Sequence, residues 1–375
     1  MRLVIDCFKL IKGTGKSIGI YNVALGIVRH MGEMNTAINK DTHSENNTES
    51  VEILVLGNKE NREDFDVPGI KFVEIKKFNP KNKTQILMWE LFYVSKVCKK
   101  LKADRVFFPR GYAALTHPVY DIVLIHDLIP FYYNENFPGV FNKAENAYIM
   151  KRLKKSARSA KKIITISQAS KADIIKYCDV DEKKIVVINN ACKEIDLEIN
   201  KADNSYICAM TSELPHKNAK GVIESYIEYC KMAENPLKLV VIGLQDTSGF
   251  DISEKIRKNI TCYKFIKSDE DMYKIIGASE VFLFLSLIEG FGLPPVEAMQ
   301  LGVPVICSNT SSLPEVVNNS AVLVNPSDCN DVAKKIHDLC TSVEMRESLI
   351  SSGKENIKRF SWDIIAKLYW KTLMN

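Results

Sequence analysis

What this chain has little of already narrows what it can be. No apolar run approaches the ~18 residues that a membrane-spanning helix needs, and no leader pattern opens the sequence, so the expectation is a cytoplasmic globular protein. Ten cysteines are scattered, as at Cys7, Cys98, Cys178, Cys230 and Cys340, without one Cys-x-x-Cys pair. That excludes a paired-cysteine metal ribbon and points to reduced thiols, several inside apolar runs. Charge of one sign hardly dominates: 51 Lys and Arg stand against 46 Asp and Glu, a net +5. The dense basic footprint of a nucleic-acid binder is missing, and no nucleic-acid partner is expected.

What is present is ample apolar material, 46% of 375 residues, too long a chain for one comfortable core. Two domains are expected. Strand-length apolar or alternating runs recur at Arg2 to Phe8, Val51 to Leu56, Lys71 to Ile75, Arg105 to Phe108, Ile122 to Ile125, Ile163 to Ile166 and Lys184 to Ile188. Helical spacing lies between most of them, notably Ile20 to His30 and Ile86 to Leu101. A second series begins at Tyr206 and continues through Leu237 to Ile242, Thr261 to Phe265, Val281 to Leu285, Val303 to Cys307 and Ala321 to Val324. Alternation of this kind argues an α/β fold of two parallel, doubly wound sheets. Asn189 to Asp203 is polar and irregular enough to link them, and His43 to Ser50 is polar enough for a loop.

The most informative stretch is Ser286 to Pro314. Gly290 and Gly292 follow a strand and let the backbone approach a ligand closely, with amides that can face an anion. Pro294 and Pro295 then suit a helix start, and Gly302 with Pro304 behind it suits the helix end. Strand, glycine loop, helix N-terminus and strand in succession is where α/β sheets bind phosphates. Glu289 and Glu297 flank that loop eight positions apart. On chemistry alone they suit a sugar held between two carboxylates as well as a loop acid and a helix-dipole partner. Ser312 and Glu315 have the spacing of a capping box.

The string E-G-F-G-L-P-P-V-E-A-M resembles the Glu-x7-Glu signature of the retaining GT-B glycosyltransferases of family 4. The resemblance implies that Glu289 faces the donor sugar and Glu297 the ribose hydroxyls, with the amides of Gly290, Phe291, Gly292 and Leu293 beside sugar and diphosphate. Other segments carry the same resemblance. Ile125-His126-Asp127-Leu128-Ile129-Pro130 is similar to the family's H-D-x-x-P segment, which implies His126 on the donor sugar and Asp127 on the loop or the acceptor. Ser212 to Asn218 resembles its E-P-R-K-N segment, whose basic pair grips the leaving diphosphate; Lys217 matches, while His216 replaces the arginine and suggests pH-dependent binding. Gly13 to Tyr21 resembles its glycine loop, retaining Ile18, Gly19 and Tyr21. Gly15-Lys16-Ser17 imitates the end of a P-loop, but Leu10 stands where that motif needs glycine. Ile166 to Lys171 resembles the family's S-x-x-S-K segment, with Ser167 a helix cap.

The implied fold is GT-B, two Rossmann-like domains facing a central cleft. An acceptor domain would cover 1–195, with 358–375 crossing back onto it, and a nucleotide-sugar domain 196–357. The implied reaction moves a hexose-type sugar, with retention, from a UDP, GDP, ADP or dTDP sugar to a glycan or lipid-linked acceptor in cell-surface polysaccharide synthesis. No cofactor or metal is implied; Asp179-Val180-Asp181 imitates a metal-binding Asp-x-Asp but falls far from the other motifs. The alternatives are a GT-B-fold sugar-nucleotide epimerase and a non-catalytic sugar-nucleotide binder. Residues 151–162 hold seven basic residues and no acid. Such a run is a solvated helix face or a contact for an anionic membrane, which would place the protein on the inner face of the cell membrane.

Overall fold

The structure, a computed structural model, describes residues 1–13, 18–42, 51–116, 119–199 and 205–375. The loop at His43 to Ser50 and the centre of the glycine loop at 14–17 lie outside the described residues. The chain divides into two compact units, Met1–Ala191 with Trp362–Asn375, and Cys192–Ser361.

The first unit is built on seven strands: β1 Arg2–Asp6, β2 Glu52–Gly57, β3 Lys71–Glu74, β4 Arg105–Phe108, β5 Tyr120–Ile125, β6 Lys162–Thr165 and β7 Ile185–Val187. They pair in the order β3-β2-β1-β4-β5-β6-β7, every described pair parallel. The order reverses between β1 and β4. Val4, Leu54, Val106, Val123 and Ile163 share one core, while Leu3, Ile5 and Ile53 are equally buried on the opposite face. A strand with helices on both faces has no solvent side, which is why these runs read as continuously apolar.

The second unit has six strands: β8 Tyr206–Met210, β9 Lys238–Ile242, β10 Ile260–Tyr263, β11 Val281–Phe284, β12 Val305–Ser308 and β13 Val322–Val324. Their order is β10-β9-β8-β11-β12-β13, again parallel, with the reversal between β8 and β11. Side chains divide by the strand period of two. Ile207, Ala209, Leu239, Val241, Val281 and Leu283 fill one face, and Cys208, Phe282, Phe284, Val305 and Cys307 the other.

The helix expected at Ile86 to Leu101 is broken by a π turn at Trp89–Tyr93 between Lys83–Met88 and Val94–Lys100. The extra residue in that turn sets Trp89 into the core, where its indole Nε1 donates to Asp6 at 3.2 Å. The last helix, Trp362–Met374, belongs to the first unit: Gly26 leaves room for the Trp362 ring, and His30 stacks on it at 4.5 Å. The basic run lies mostly on the helix Lys143–Ser159 and is not wholly solvated, since Arg152 is only 6% exposed. Among the described residues no helix is long and apolar enough to cross a membrane.

Candidate active site

In an open parallel sheet, the crevice for a ligand opens at the carboxyl ends of the strands where strand order reverses. In the second unit that point lies between β8 and β11, and the loops leaving those two strands carry His216-Lys217 and Ser286 to Gly292. A backbone hydrogen bond from Leu287 N to His216 O, 2.7 Å, ties the loops together. Lys217 Nζ then meets Glu289 Oε1 at 2.5 Å across 72 residues of sequence. The ammonium also lies 5.5 Å from the centre of the Phe284 ring, and both charged side chains are mostly covered, at 27% and 12% exposed. An ammonium has three donors. One is used on Glu289, so the remaining two can reach an anionic group.

The glycine loop is held from behind. Ser312 Oγ donates to the carbonyls of Glu289 at 3.0 Å and Phe291 at 2.8 Å, and Ser311 Oγ donates to Glu289 O at 2.7 Å. In a trans peptide the next N–H points opposite the carbonyl. The amide of Gly292, which follows the Phe291 carbonyl, is therefore directed away from Ser312, as an anion-facing loop requires. This is the work of Ser312 in place of the expected capping box: its side chain makes no cap hydrogen bond to the helix Leu313–Val317. Gly292 sits at φ +100°, with Leu313 Cδ2 2.5 Å from where a Cβ would be. It caps the helix Leu293–Gln300, in which the prolines take the first turn.

Glu297 follows that turn rather than lying within it, so the helix-dipole role does not apply to it. Its carboxylate takes a 3.4 Å hydrogen bond from Tyr273 Oη. Burial raises its pKa from 4.5 to about 7. Tyr273 was not legible as a partner, being 24 residues away on a separate helix. His216 is buried, and desolvation, with the Lys217 charge beside it, lowers its pKa to about 4. It is neutral at pH 7, which corrects the expectation of a pH-dependent cation at this position.

In the first unit the predicted residues gather at the ends of β5 and β6. His126 is buried with Nε2 2.9 Å from Pro109 O. Because a carbonyl only accepts, Nε2 carries the proton and Nδ1 the lone pair. Burial lowers its pKa to about 4. Asp127 Oδ1 accepts from Ile129 N at 3.1 Å and so fixes the start of the helix Ile129–Asn136. Ser167 caps the helix Gln168–Cys178 by accepting from Ser170 N at 3.0 Å, and Ser170 Oγ donates to His126 O at 3.0 Å. Gly19 opens the long helix Ile18–Thr42, with space around it in which a Cβ would touch nothing described. Asp179 and Asp181 serve turn geometry: Asp179 ends a helix in the left-handed region and Asp181 accepts from Lys183 N at 2.9 Å. Among the described residues no three His, Cys, Asp or Glu side chains converge to hold a metal ion.

Comparison with known proteins agrees with this arrangement. The model for glycosyl transferases group 1 matches residues 193–356, and that for Glycosyltransferase Family 4 matches residues 47–193. The chain is 29% identical over 258 residues to O-antigen chain mannosyltransferase B of Escherichia coli, a match covering 64% of this chain and 67% of that protein. It is 27% identical over 245 residues to O-antigen chain mannosyltransferase RfbU of Salmonella typhimurium, covering 64% and 65%. The match thus spans about two thirds of each relative's length. Anabaena Alr3699/HepE, solved in complex with UDP and glucose, superposes with a TM-score of 0.66 at 15% identity over 100% of this chain and 99% of that one. With two parallel Rossmann-like sheets and these matches, the chain belongs to the group 1, family 4 glycosyltransferases of the GT-B fold.

Proposed function

We propose that this protein transfers a hexose, with retention of configuration and without metal, from a nucleotide-diphosphate sugar to a glycan or lipid-linked acceptor in surface polysaccharide synthesis. The observation that carries this reading is the Lys217–Glu289 pair at the strand-order reversal of the second sheet, beside a glycine loop whose carbonyls are held back by serines. The names of the relatives, both O-antigen mannosyltransferases, support polysaccharide synthesis and make a mannose-type sugar the first to test. UDP, GDP, ADP and dTDP remain the candidate carriers, with UDP supported by the complex in which HepE was solved.

In this reading the bond between the sugar's anomeric carbon and the diphosphate oxygen breaks as the acceptor hydroxyl oxygen bonds to that carbon on the same face. The acceptor's proton passes to the departing diphosphate, which leaves as the nucleoside diphosphate. Negative charge grows on the leaving group, and preorganised donors stabilise it: Lys217 Nζ and the amides of the 290–293 loop. Glu289 orients Lys217 and faces the sugar, and Glu297 holds the ribose hydroxyls, while His126, with its neutral ring, and Asp127 keep the sugar and acceptor roles that the family resemblance implies. The test is transfer from an α-linked donor in EDTA. Expected is an α-linked product at undiminished rate, read from the anomeric couplings. A β-linked product refutes retention, and strict dependence on added magnesium or manganese refutes the roles given to Lys217 and the loop.

The reading includes a cytoplasmic protein peripheral to the inner face of the cell membrane. Supporting it, Lys151, Lys154, Lys155 and Arg158, against the single acid Glu135, line a groove of about 770 Å³ together with Phe131, Met150 and Tyr177. Basic side chains beside apolar ones suit anionic headgroups. Sedimentation with phosphatidylglycerol vesicles tests it.

A further inference from the structure

The helix Leu293–Gln300 carries, one turn beyond Glu297, a contact that the transfer chemistry above does not use. Gln300 Nε2 donates to Lys193 O and Gln300 Oε1 accepts from Ile195 N, both at 3.0 Å. A side-chain amide holds a donor and an acceptor side by side, as a peptide does, so it pairs with this irregular segment as a neighbouring strand would. The segment is fastened at both ends. Cys192 N donates to Phe360 O at 2.8 Å, and the Phe360 ring meets Phe291 of the glycine loop edge-on at 5.3 Å. Ile199 fills the space that Gly277 leaves: a Cβ there would lie 2.7 Å from Ile199 Cδ1.

Both helices under the segment also hold the site. Glu297 and Gln300 are three residues apart, and Tyr273 and Gly277 four, spacings that put each pair on one helix face. The 3.4 Å hydrogen bond from Tyr273 to Glu297 therefore lies on the side that residues 192–199 cross. Cys192 adjoins it: the residue is buried, and burial, with the Glu297 charge beside it, pushes its thiol up to about 12. The groups that face the Glu297 carboxyl from these elements are Tyr273, Asp269, Lys193 and Cys192. Desolvation acts on it most strongly; the Tyr273 hydrogen bond and the Lys193 charge favour the carboxylate, and the Asp269 charge opposes it.

We infer that Gln300 is a positioning residue of the nucleotide site, latching residues 192–199 over the Glu297–Tyr273 pair so that the ribose hydroxyls meet a carboxylate already stripped of much of its water. Hydrogen bonds strengthen as water is excluded around them, and an uncovered Glu297 would lose that advantage. Assignment of the hydroxyls to a nucleotide rests on the transferase reading above; the latch over Glu297 does not.

The test is a double-mutant cycle between positions 297 and 300. Gln300→Met keeps the length of the side chain and removes both hydrogen bonds. With the latch open, water returns to the Glu297 carboxyl and its pKa falls back toward 4.5; release of Lys193 works the other way and is the smaller effect. A raised carboxyl pKa costs the folded chain stability as pH rises from 4.5 through about 7, and the cost persists above. The stability that Glu297→Gln gains in urea at pH 8 should therefore be smaller in the Gln300→Met background, by on the order of tenfold in the unfolding equilibrium for one pKa unit. At pH 4, where the carboxyl is mostly protonated whether folded or unfolded, this coupling should nearly vanish. A latch that only holds the segment in place would lower stability equally in both backgrounds and at both pH values, and that result overturns the inference. By calorimetry, Gln300→Met should also weaken whichever of UDP, GDP, ADP and dTDP the parent binds best, by about three- to tenfold, the scale of one hydrogen bond. Undiminished affinity overturns the inference as well. Failure of all four to bind the parent would sink the transferase reading, while the coupling at pH 8 would still decide the latch.

Discussion

Glu297 should destabilise the protein it serves. Its side chain lies half-buried on the helix Leu293–Gln300, and burial of the carboxyl raises its pKa from 4.5 to about 7. Between those two values the folded chain keeps a proton that the unfolded chain has released, so stability falls as pH rises through this window and stays low above it. The shift of about 2.5 units corresponds to about 3.4 kcal/mol at 1.36 kcal/mol per unit, and partial exposure of the residue lowers the expectation to about 2–3 kcal/mol. Glu297→Gln keeps the shape and the hydrogen bond from Tyr273 while removing the ionisation. The variant should equal the parent in urea unfolding at pH 4 and exceed it by about that amount at pH 8. Comparing parent and variant at each pH cancels the slope from Asp6, whose pKa burial raises to about 6. Yet the same variant should bind the nucleoside diphosphate more weakly by calorimetry, because an amide holds paired ribose hydroxyls less well than a carboxylate. A variant no more stable than the parent at pH 8 refutes the burial argument; unchanged nucleotide affinity refutes the ribose role.

Removing the ammonium with Lys217→Ala should lower turnover by on the order of a hundredfold or more, as when one such stabiliser is deleted elsewhere, and near-normal turnover would take it out of the site. Gly292→Ala asks a side chain to adopt φ +100° with Leu313 Cδ2 2.5 Å from its Cβ, and should cost on the order of 1–3 kcal/mol in denaturant unfolding. Since His126 and His216 both titrate near pH 4, the rate profile from pH 6 to 8 should contain no step that disappears in a His216→Asn variant. Lys154→Glu with Arg158→Glu should abolish sedimentation with phosphatidylglycerol vesicles while leaving the far-UV circular dichroism spectrum unchanged.

Much of the fold was written in local pattern. A parallel strand covered on both faces needs a short apolar run, and a helix between two such strands needs its own period, so both sheets were legible in composition and spacing alone. The loop at Glu289 to Leu293 was legible for the same reason: glycine, proline and acid within one turn of chain leave few conformations open. Other features depend on residues far apart in sequence. Lys217 meets Glu289 because β8 and β11 are neighbours in the sheet, an adjacency set by strand order across 72 residues. Ser312 reads as a cap by spacing but reaches instead for the glycine loop's carbonyls, which only the packing of two loops brings near. His216 looked titratable until burial kept it neutral. Lys193, Tyr273 and Gln300 belong to three separate segments with no common motif, and packing alone gathers them around Glu297. Spacing along the chain governs φ, ψ and the burial of one face. Which charges end up sharing a sheet edge is decided by strand order and by the desolvation that follows from it.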